Sequence, residues 1–116
     1  MIRIFIILLL SLSLLACTSS PSLTQTLELA QTKRQYEAGY LKKAKENLLP
    51  LATAGNAEAQ YALGYMYYYG YGTTQDIESG YFWIKKAANQ KYEPAIKALK
   101  IISQVKKDFN TKSDFE

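Results

Sequence analysis

The feature that most constrains the fold is that the chain repeats itself. Shifted by about 36 residues, Leu41 falls on Ile77, Ala44 on Gly80, Leu48 on Ile84, Ala52 on Ala88, Ala59 on Ala95 and Leu63 on Leu99. Large and small residues stay in phase, as stacked helix pairs require. Small side chains let neighbouring helices approach, and large ones fill the groove between them. The segment from Gly70 to Gln75 has no counterpart in the first pair, so the repeat is imperfect. Chance likeness between short amphipathic helices is the competing explanation.

Local signals agree with a helical reading. Ser22 offers a capping box with Gln25, and Leu23, Leu27, Ala30, Arg34 and Glu37 or Ala38 mark a first helix that Gly39 stops. Leu41, Ala44, Leu48, Leu51 and Ala52 mark a second, ending near Gly55, with Pro50 placed late enough to kink or shorten it. Asn56 caps a third helix from Ala57 to about Tyr69, and Gly70 to Thr74 form a loop. Asp76 is a good N-cap for a fourth, Ile77 to Asn89. Pro94 suits the first turn of a fifth reaching about Lys107. The fold class is therefore all-α: a short α/α solenoid of antiparallel helix pairs, with about five helices.

One stretch carries a family resemblance. Ala59-Gln60-Tyr61-Ala62-Leu63-Gly64, then Tyr67, Gly70, Gly72, Asp76, Trp83 and Lys86-Ala87-Ala88, resembles a Sel-one-like repeat, a relative of the tetratricopeptide repeat. One unit, roughly Asn56 to Lys91, matches well. Leu41 to Gly55 resembles the second helix of a degenerate preceding unit. Tyr92 to Lys107 resembles the first helix of a following one. The resemblance implies structural roles. Ala59 and Leu63 belong to the core, as does Tyr67. Gly64 lets two helices sit close, and Gly70 and Gly72 allow loop conformations with positive φ. Asp76 starts a helix, Trp83 fills the gap between paired helices, and Ala87 and Ala88 let the next helix stack. The chain departs from the family at Thr73, at Gly80 where alanine is usual, and at Lys91 near a usual glycine. Gly80 should cost roughly 1 kcal/mol in a helix relative to alanine.

The tyrosines are the unusual feature left. Tyr61, Tyr65, Tyr67, Tyr68, Tyr69 and Tyr71 crowd one helix and its loop. At 3.6 residues per turn, Ala59, Leu63, Met66 and Tyr67 share one face, and Tyr61, Tyr65 and Tyr68 fall opposite within roughly 60° of one another. In stacked helix pairs the first helix of each pair lines the concave surface. A tyrosine stripe there would be rigid, amphipathic and suited to binding a partner. The alternative is that the stripe packs against the first helix or the C-terminal segment. Tyr69 and Tyr71 would extend the docking surface, pack the loop or touch a membrane interface. Glu58, Glu78 and Glu93 have carboxylates at helix starts, where they serve the helix dipole rather than catalysis. Lys97, Lys100, Lys106 and Lys107 read as a solvated face.

The first residues point to an exported chain. Arg3 is a positive start, and Ile4 to Leu15 is an apolar run broken only by Ser11 and Ser13. A spanning helix needs about 20 apolar residues, and this run is shorter. The run ends Leu14-Leu15-Ala16-Cys17, with the chain's one cysteine last. It resembles a bacterial lipoprotein signal, in which the cysteine sulfur receives a diacylglycerol and cleavage frees its amine for further acylation. An ordinary signal peptide or an uncleaved anchor is the alternative. By the same resemblance, Thr18 in place of an aspartate points to the outer membrane, with the inner membrane or cell surface as alternatives. The chain then divides into a removed signal (1–16), a lipidated tether (17–22), the repeat domain (23–107) and a flexible tail (108–116).

Composition narrows the function. A single cysteine excludes an intramolecular disulfide, and the absence of histidine removes Ser–His and Cys–His nucleophile pairs and the usual zinc sets. No metal or cofactor is expected, nor nucleic-acid binding, because the lysines are dispersed rather than gathered in a stripe. The expected function is a membrane-anchored, non-enzymatic protein–protein interaction module. Its partners are an envelope protein or peptide, bound through Tyr61, Tyr65, Tyr68, Tyr69 and Tyr71, and the membrane, reached through lipid on Cys17. A structural subunit of an envelope or secretion complex, or an immunity-type lipoprotein, is the alternative. With so few repeats the ends cap the core poorly, which leaves room for a homodimer.

Overall fold

The structure is a computed structural model describing residues 22–113, with side chains described through residue 108. The signal, Cys17, the tether up to Pro21 and the tail end at 114–116 lie outside the described residues. The described residues form five α-helices and no strand: α1 Leu23–Glu37, α2 Leu41–Thr53, α3 Ala57–Tyr69, α4 Ile77–Asn89 and α5 Glu93–Ser113. They follow one another as a short all-α solenoid.

α1, α3 and α4 each start where a capping side chain satisfies a free backbone donor, whereas α2 starts at Tyr40 without one. The Ser22 hydroxyl accepts from the Gln25 N–H at 3.3 Å, and Asn56 Oδ1 accepts from the Ala59 N–H at 2.9 Å. Asp76 is used twice: Oδ1 accepts from the Ser79 N–H at 3.0 Å and Oδ2 from its hydroxyl at 2.6 Å. The Ser79 hydroxyl and then its backbone N–H hold the Asp76 carboxyl below the usual carboxylate range. α3 ends on Gly70 in the left-handed region (φ 74°), with the Tyr71 N–H reaching back to the Met66 carbonyl at 2.8 Å. Pro50 does not end α2, which continues through it to Thr53. α5 runs past Lys107 to Ser113, so the segment expected to be flexible from residue 108 begins as helix.

Two clusters make the core. Leu29, Ala44, Leu48, Leu51, Ala52, Ala59, Leu63 and Met66 join α1, α2 and α3, with Tyr67 and Trp83 packed at their edge. Ile84, Ala87 and Ala95 join α4 and α5, with Tyr61 and Ala88 alongside. Five of these are fully buried alanines, Ala44, Ala52, Ala59, Ala87 and Ala95, and they set the short spacing between helices.

The closest approach is between α3 and α4. A Cβ on Gly64 would lie 2.8 Å from the Gly80 carbonyl oxygen and the Ile84 nitrogen. A Cβ on Gly80 would lie 2.8 Å from the Cα and Cβ of Tyr68. Gly80 is thus more than a weak helix former standing where alanine is usual. It admits the backbone of the neighbouring helix. The loop after α3 is fastened too: Gly72 has φ 67°, and a Cβ there would meet the Leu41 carbonyl carbon at 2.5 Å. Lys91, near the family's usual glycine, adopts φ 63°.

The residues that mark α1 in the sequence are not the ones it buries. Leu23, Leu27, Ala30, Arg34 and Glu37 are all exposed, as is Ala38. α1 instead turns Leu29, Thr32 and Tyr36 toward the core. The Thr32 hydroxyl donates to the Glu28 carbonyl at 2.8 Å, which lets a polar residue occupy an apolar face.

Candidate functional site

α1, α3 and α5 alternate with α2 and α4 along the chain, and the first set lines a grooved surface. Two adjoining grooves lie on it. One, of about 510 Å³, lies between α1, α3 and the start of α5, with Tyr36, Tyr61, Tyr65 and Tyr92 in its wall. The other, of about 390 Å³, lies between α3, α4 and α5, with Tyr61, Tyr65, Tyr68 and Tyr69 on one side and Pro94, Ile101 and Ile102 on the other. Tyr61 and Tyr65 belong to both, so the two grooves share one tyrosine ridge.

The rings form a connected ladder. Tyr92 meets Tyr61 at 5.7 Å between centroids, Tyr61 meets Tyr65 at 6.3 Å, and Tyr65 meets Tyr69 at 4.5 Å. Tyr71 stacks on Tyr69 at 5.8 Å and 21°, and Tyr68 sits edge-on to Tyr69 at 5.1 Å. Tilted and edge-on contacts of this kind suit the aromatic quadrupole. Tyr61, Tyr65 and Tyr68 are half-buried, whereas Tyr69 is exposed (51%). The structure therefore brings Tyr61, Tyr65, Tyr68, Tyr69 and Tyr71 into one surface. It also shows contact of Tyr61 with the C-terminal segment through Tyr92. Tyr67 stands apart on the other side of α3, against the core and 5.5 Å from the Lys45 ammonium.

Tyr36, Tyr92 and Lys33 join the surface without having been singled out in the sequence. Tyr36 comes from α1 and Tyr92 from the turn before α5, and only the stacking of the helices brings them to Tyr61 and Tyr65. Tyr92 had one local signal, an aromatic residue directly ahead of an acidic, proline-bearing helix start. Lys33 of α1 forms an ion pair with Glu58 of α3, and both line the first groove. The hydrogen bond and charge of Glu58 raise the Lys33 ammonium above the usual lysine value. Glu58 thus serves as a tie between two helices as well as a first-turn acid.

Burial pushes the Tyr36, Tyr65 and Tyr92 phenols above their ordinary value. They stay neutral at physiological pH and offer a hydroxyl plus an apolar ring. Such groups grip a partner by stacking and hydrogen bonding. Among the described residues no group of three or more His, Cys, Asp or Glu side chains is arranged to hold a metal ion.

Residues near the grooves are held firmly. Gln60 is buried at 4% exposure. Its amide donates to the Ala52 carbonyl at 3.0 Å and accepts from Gln90 at 2.8 Å. Gln90 also donates to the Gly55 carbonyl at 2.9 Å. The ends of α2 and α4 are thereby clamped onto α3, whose other face carries the tyrosines. Trp83 packs half-buried at the edge of the core with Phe82 edge-on at 5.3 Å and the Lys86 ammonium 5.2 Å from its ring.

Comparison with known proteins agrees with this architecture. Residues 57–92 match the family model described as Sel1 repeat, which spans α3, the loop and α4 and ends at Tyr92. Sel1 repeats generally mediate protein–protein interaction and are a non-catalytic module. No curated protein and no solved structure matches the chain significantly.

Proposed function

With a Sel1 repeat as its central unit, the chain is a Sel1-like repeat protein, and we propose that it docks a protein or peptide at a membrane of the bacterial cell envelope. The observation that carries this reading is the tyrosine ridge shared by two adjoining grooves. Its members are half-buried, so their rings are already ordered. Binding then costs little side-chain entropy. The apolar lining and phenol hydroxyls suit an extended segment that contributes both aliphatic side chains and backbone hydrogen bonds.

Anchoring rests on the N-terminal signal. Cleavage before Cys17 and diacylglycerol on its sulfur would fix the chain to a bilayer, since two or more acyl chains anchor stably where one does not. Thr18 favours the outer membrane. No helix among the described residues is long and apolar enough to cross a membrane. Cys17→Ser should leave the signal uncut or release the protein. A processed, membrane-bound Cys17→Ser protein would refute the anchor.

The docking reading is tested by placing a photo-crosslinking residue at Tyr65 in living cells. One discrete envelope adduct is expected. No adduct from a folded, membrane-bound protein would reduce Tyr65 to a packing residue. A second reading, a fixed subunit of an envelope complex, draws on the exposed apolar side chains of α5, Val105 (58%) and Ile101 (65%), the latter also bordering the second groove. It predicts a chain that loses stability when made alone.

A further inference from the structure

We propose that the outer face of α1 is a lipid-contacting surface, with Leu23 and Leu27 seated in the interfacial layer of the membrane to which Cys17 holds the chain. This rests on the anchor reading given above. At 100° per residue, Leu23, Leu27, Ala30 and Arg34 fall within about 60° of one another. All four are exposed, Leu23 at 90% and Leu27 at 71%. The face that α1 turns to the core, Leu29, Thr32 and Tyr36, lies on the opposite side. No described part of the chain covers the stripe.

The length of chain between the anchor and α1 says what does. From Cys17 to Leu23, a fully extended chain spans at most about 20 Å. A lipidated Cys17 therefore keeps the first turn of α1 within reach of the headgroups, and Leu27 lies one turn further. Apolar side chains on a helix held there enter the boundary between headgroups and acyl chains. Arg34 on the same stripe can lay its stem along the apolar surface and give its charge to anionic headgroups. A second copy of the chain fits less well. Two leucines and an alanine are a small patch, and a stable protein interface buries about 1,200 Å² or more in total. Lipid contact beside a covalent anchor needs no such area.

The orientation has a consequence for the docking groove. α1 would lie nearest the membrane, with α3 and α5 stacked away from it. The tyrosine ridge would then run up the side of the stack, open to a partner approaching from the aqueous phase.

The test uses the full chain carrying Ala30→Cys, purified from membranes in its processed form and reconstituted in phosphatidylethanolamine–phosphatidylglycerol vesicles. Acylated Cys17 has no free thiol, so an NBD maleimide reports residue 30 alone. Lys43→Cys on the exposed side of α2 is the reference. The label at 30 should be quenched by spin-labelled lipid and protected from aqueous iodide, with the reverse at 43. Adding Leu23→Gln and Leu27→Gln should abolish the lipid quenching at 30 while helix content stays unchanged. Iodide quenching at 30 equal to that at 43, with Cys17 acylated by intact mass, overturns the proposal and leaves the anchor standing. Shielding from both quenchers with chain-to-chain crosslinking at 30 assigns the face to a second copy and also overturns it. Two labels per chain would mean a free Cys17, and the anchor and the proposal would fall together.

Discussion

The α3–α4 pair and the outer helix α1 are held by different physics. Between α3 and α4, Gly64 and Gly80 bring backbone against backbone, and neither tolerates a Cβ without movement. Buried Gln60 and its partner Gln90 then fasten the far ends. α1 is attached by Leu29, Thr32 and Tyr36, an Asn47–Gln35 hydrogen bond of 2.7 Å and a part-exposed ion pair. Its outer face exposes Leu23 and Leu27 beside Arg34. The rigid unit is therefore the matched repeat, and the ends are where other surfaces can attach.

The sharpest way to break this contrast is to replace one leucine on each side. Leu63→Ala removes a fully buried side chain at the centre and should cost about 2–5 kcal/mol. Leu27→Gln on α1 should stay within about 0.5 kcal/mol, as exposed substitutions do. Urea unfolding monitored by helix content checks both. Comparable losses would mean that α1 is as deeply integrated as α3.

Next in size are the glycines. Gly64→Ala should destabilise by about 1–3 kcal/mol through overpacking. Gly80→Ala sets two effects against each other. Alanine gains about 1 kcal/mol of helix propensity, and overpacking against Tyr68 costs about 1–3 kcal/mol. The net expectation is a loss of stability, and a more stable Gly80→Ala protein would show that α4 can slide away from α3 freely.

These positions also mark what could be read in one dimension. The limits of α3 and α4 were legible because Asn56, Asp76 and Gly70 are local signals whose effect reaches a few residues. The phase of α1 was not. Its spaced apolar residues, Leu23 and Leu27, face outward, while its buried face includes Thr32, a polar residue made tolerable by a bond to its own helix. The need for glycine at position 80 was hidden as well, since it arises from Tyr68 on another helix. The tyrosine ridge was half legible: Tyr61, Tyr65 and Tyr68 share a face by spacing alone, but Tyr36 and Tyr92 reach them only through stacking.

The ridge supplies the next prediction. Tyr65→Ala and Tyr68→Ala should each preserve helix content and cost about 2 kcal/mol or more in partner affinity, as truncated interface anchors do. Tyr68→Ala keeps the Cβ that meets Gly80, so the α3–α4 contact survives it. Pull-down against the crosslinked partner measures the first quantity, and circular dichroism the second. Unfolding of either variant would assign its ring to the core.

The smallest effect belongs to the joint between the two regions. Lys33→Ala removes the ion pair to Glu58, whose lysine side chain is 58% exposed. Such pairs are worth at most about 1 kcal/mol and are screened by salt. The sign of the pH effect follows from the raised Lys33 value. Its contribution is full below the unfolded lysine value and is lost as pH rises through the higher folded one, so it is intact at neutral pH. Lys33→Ala should therefore lower stability slightly at low salt and hardly at all at high salt. A large, salt-insensitive loss would mean that the pair, rather than Leu29 and Tyr36, holds α1 on the repeat, and the contrast between a welded centre and a lightly attached edge would have to be redrawn.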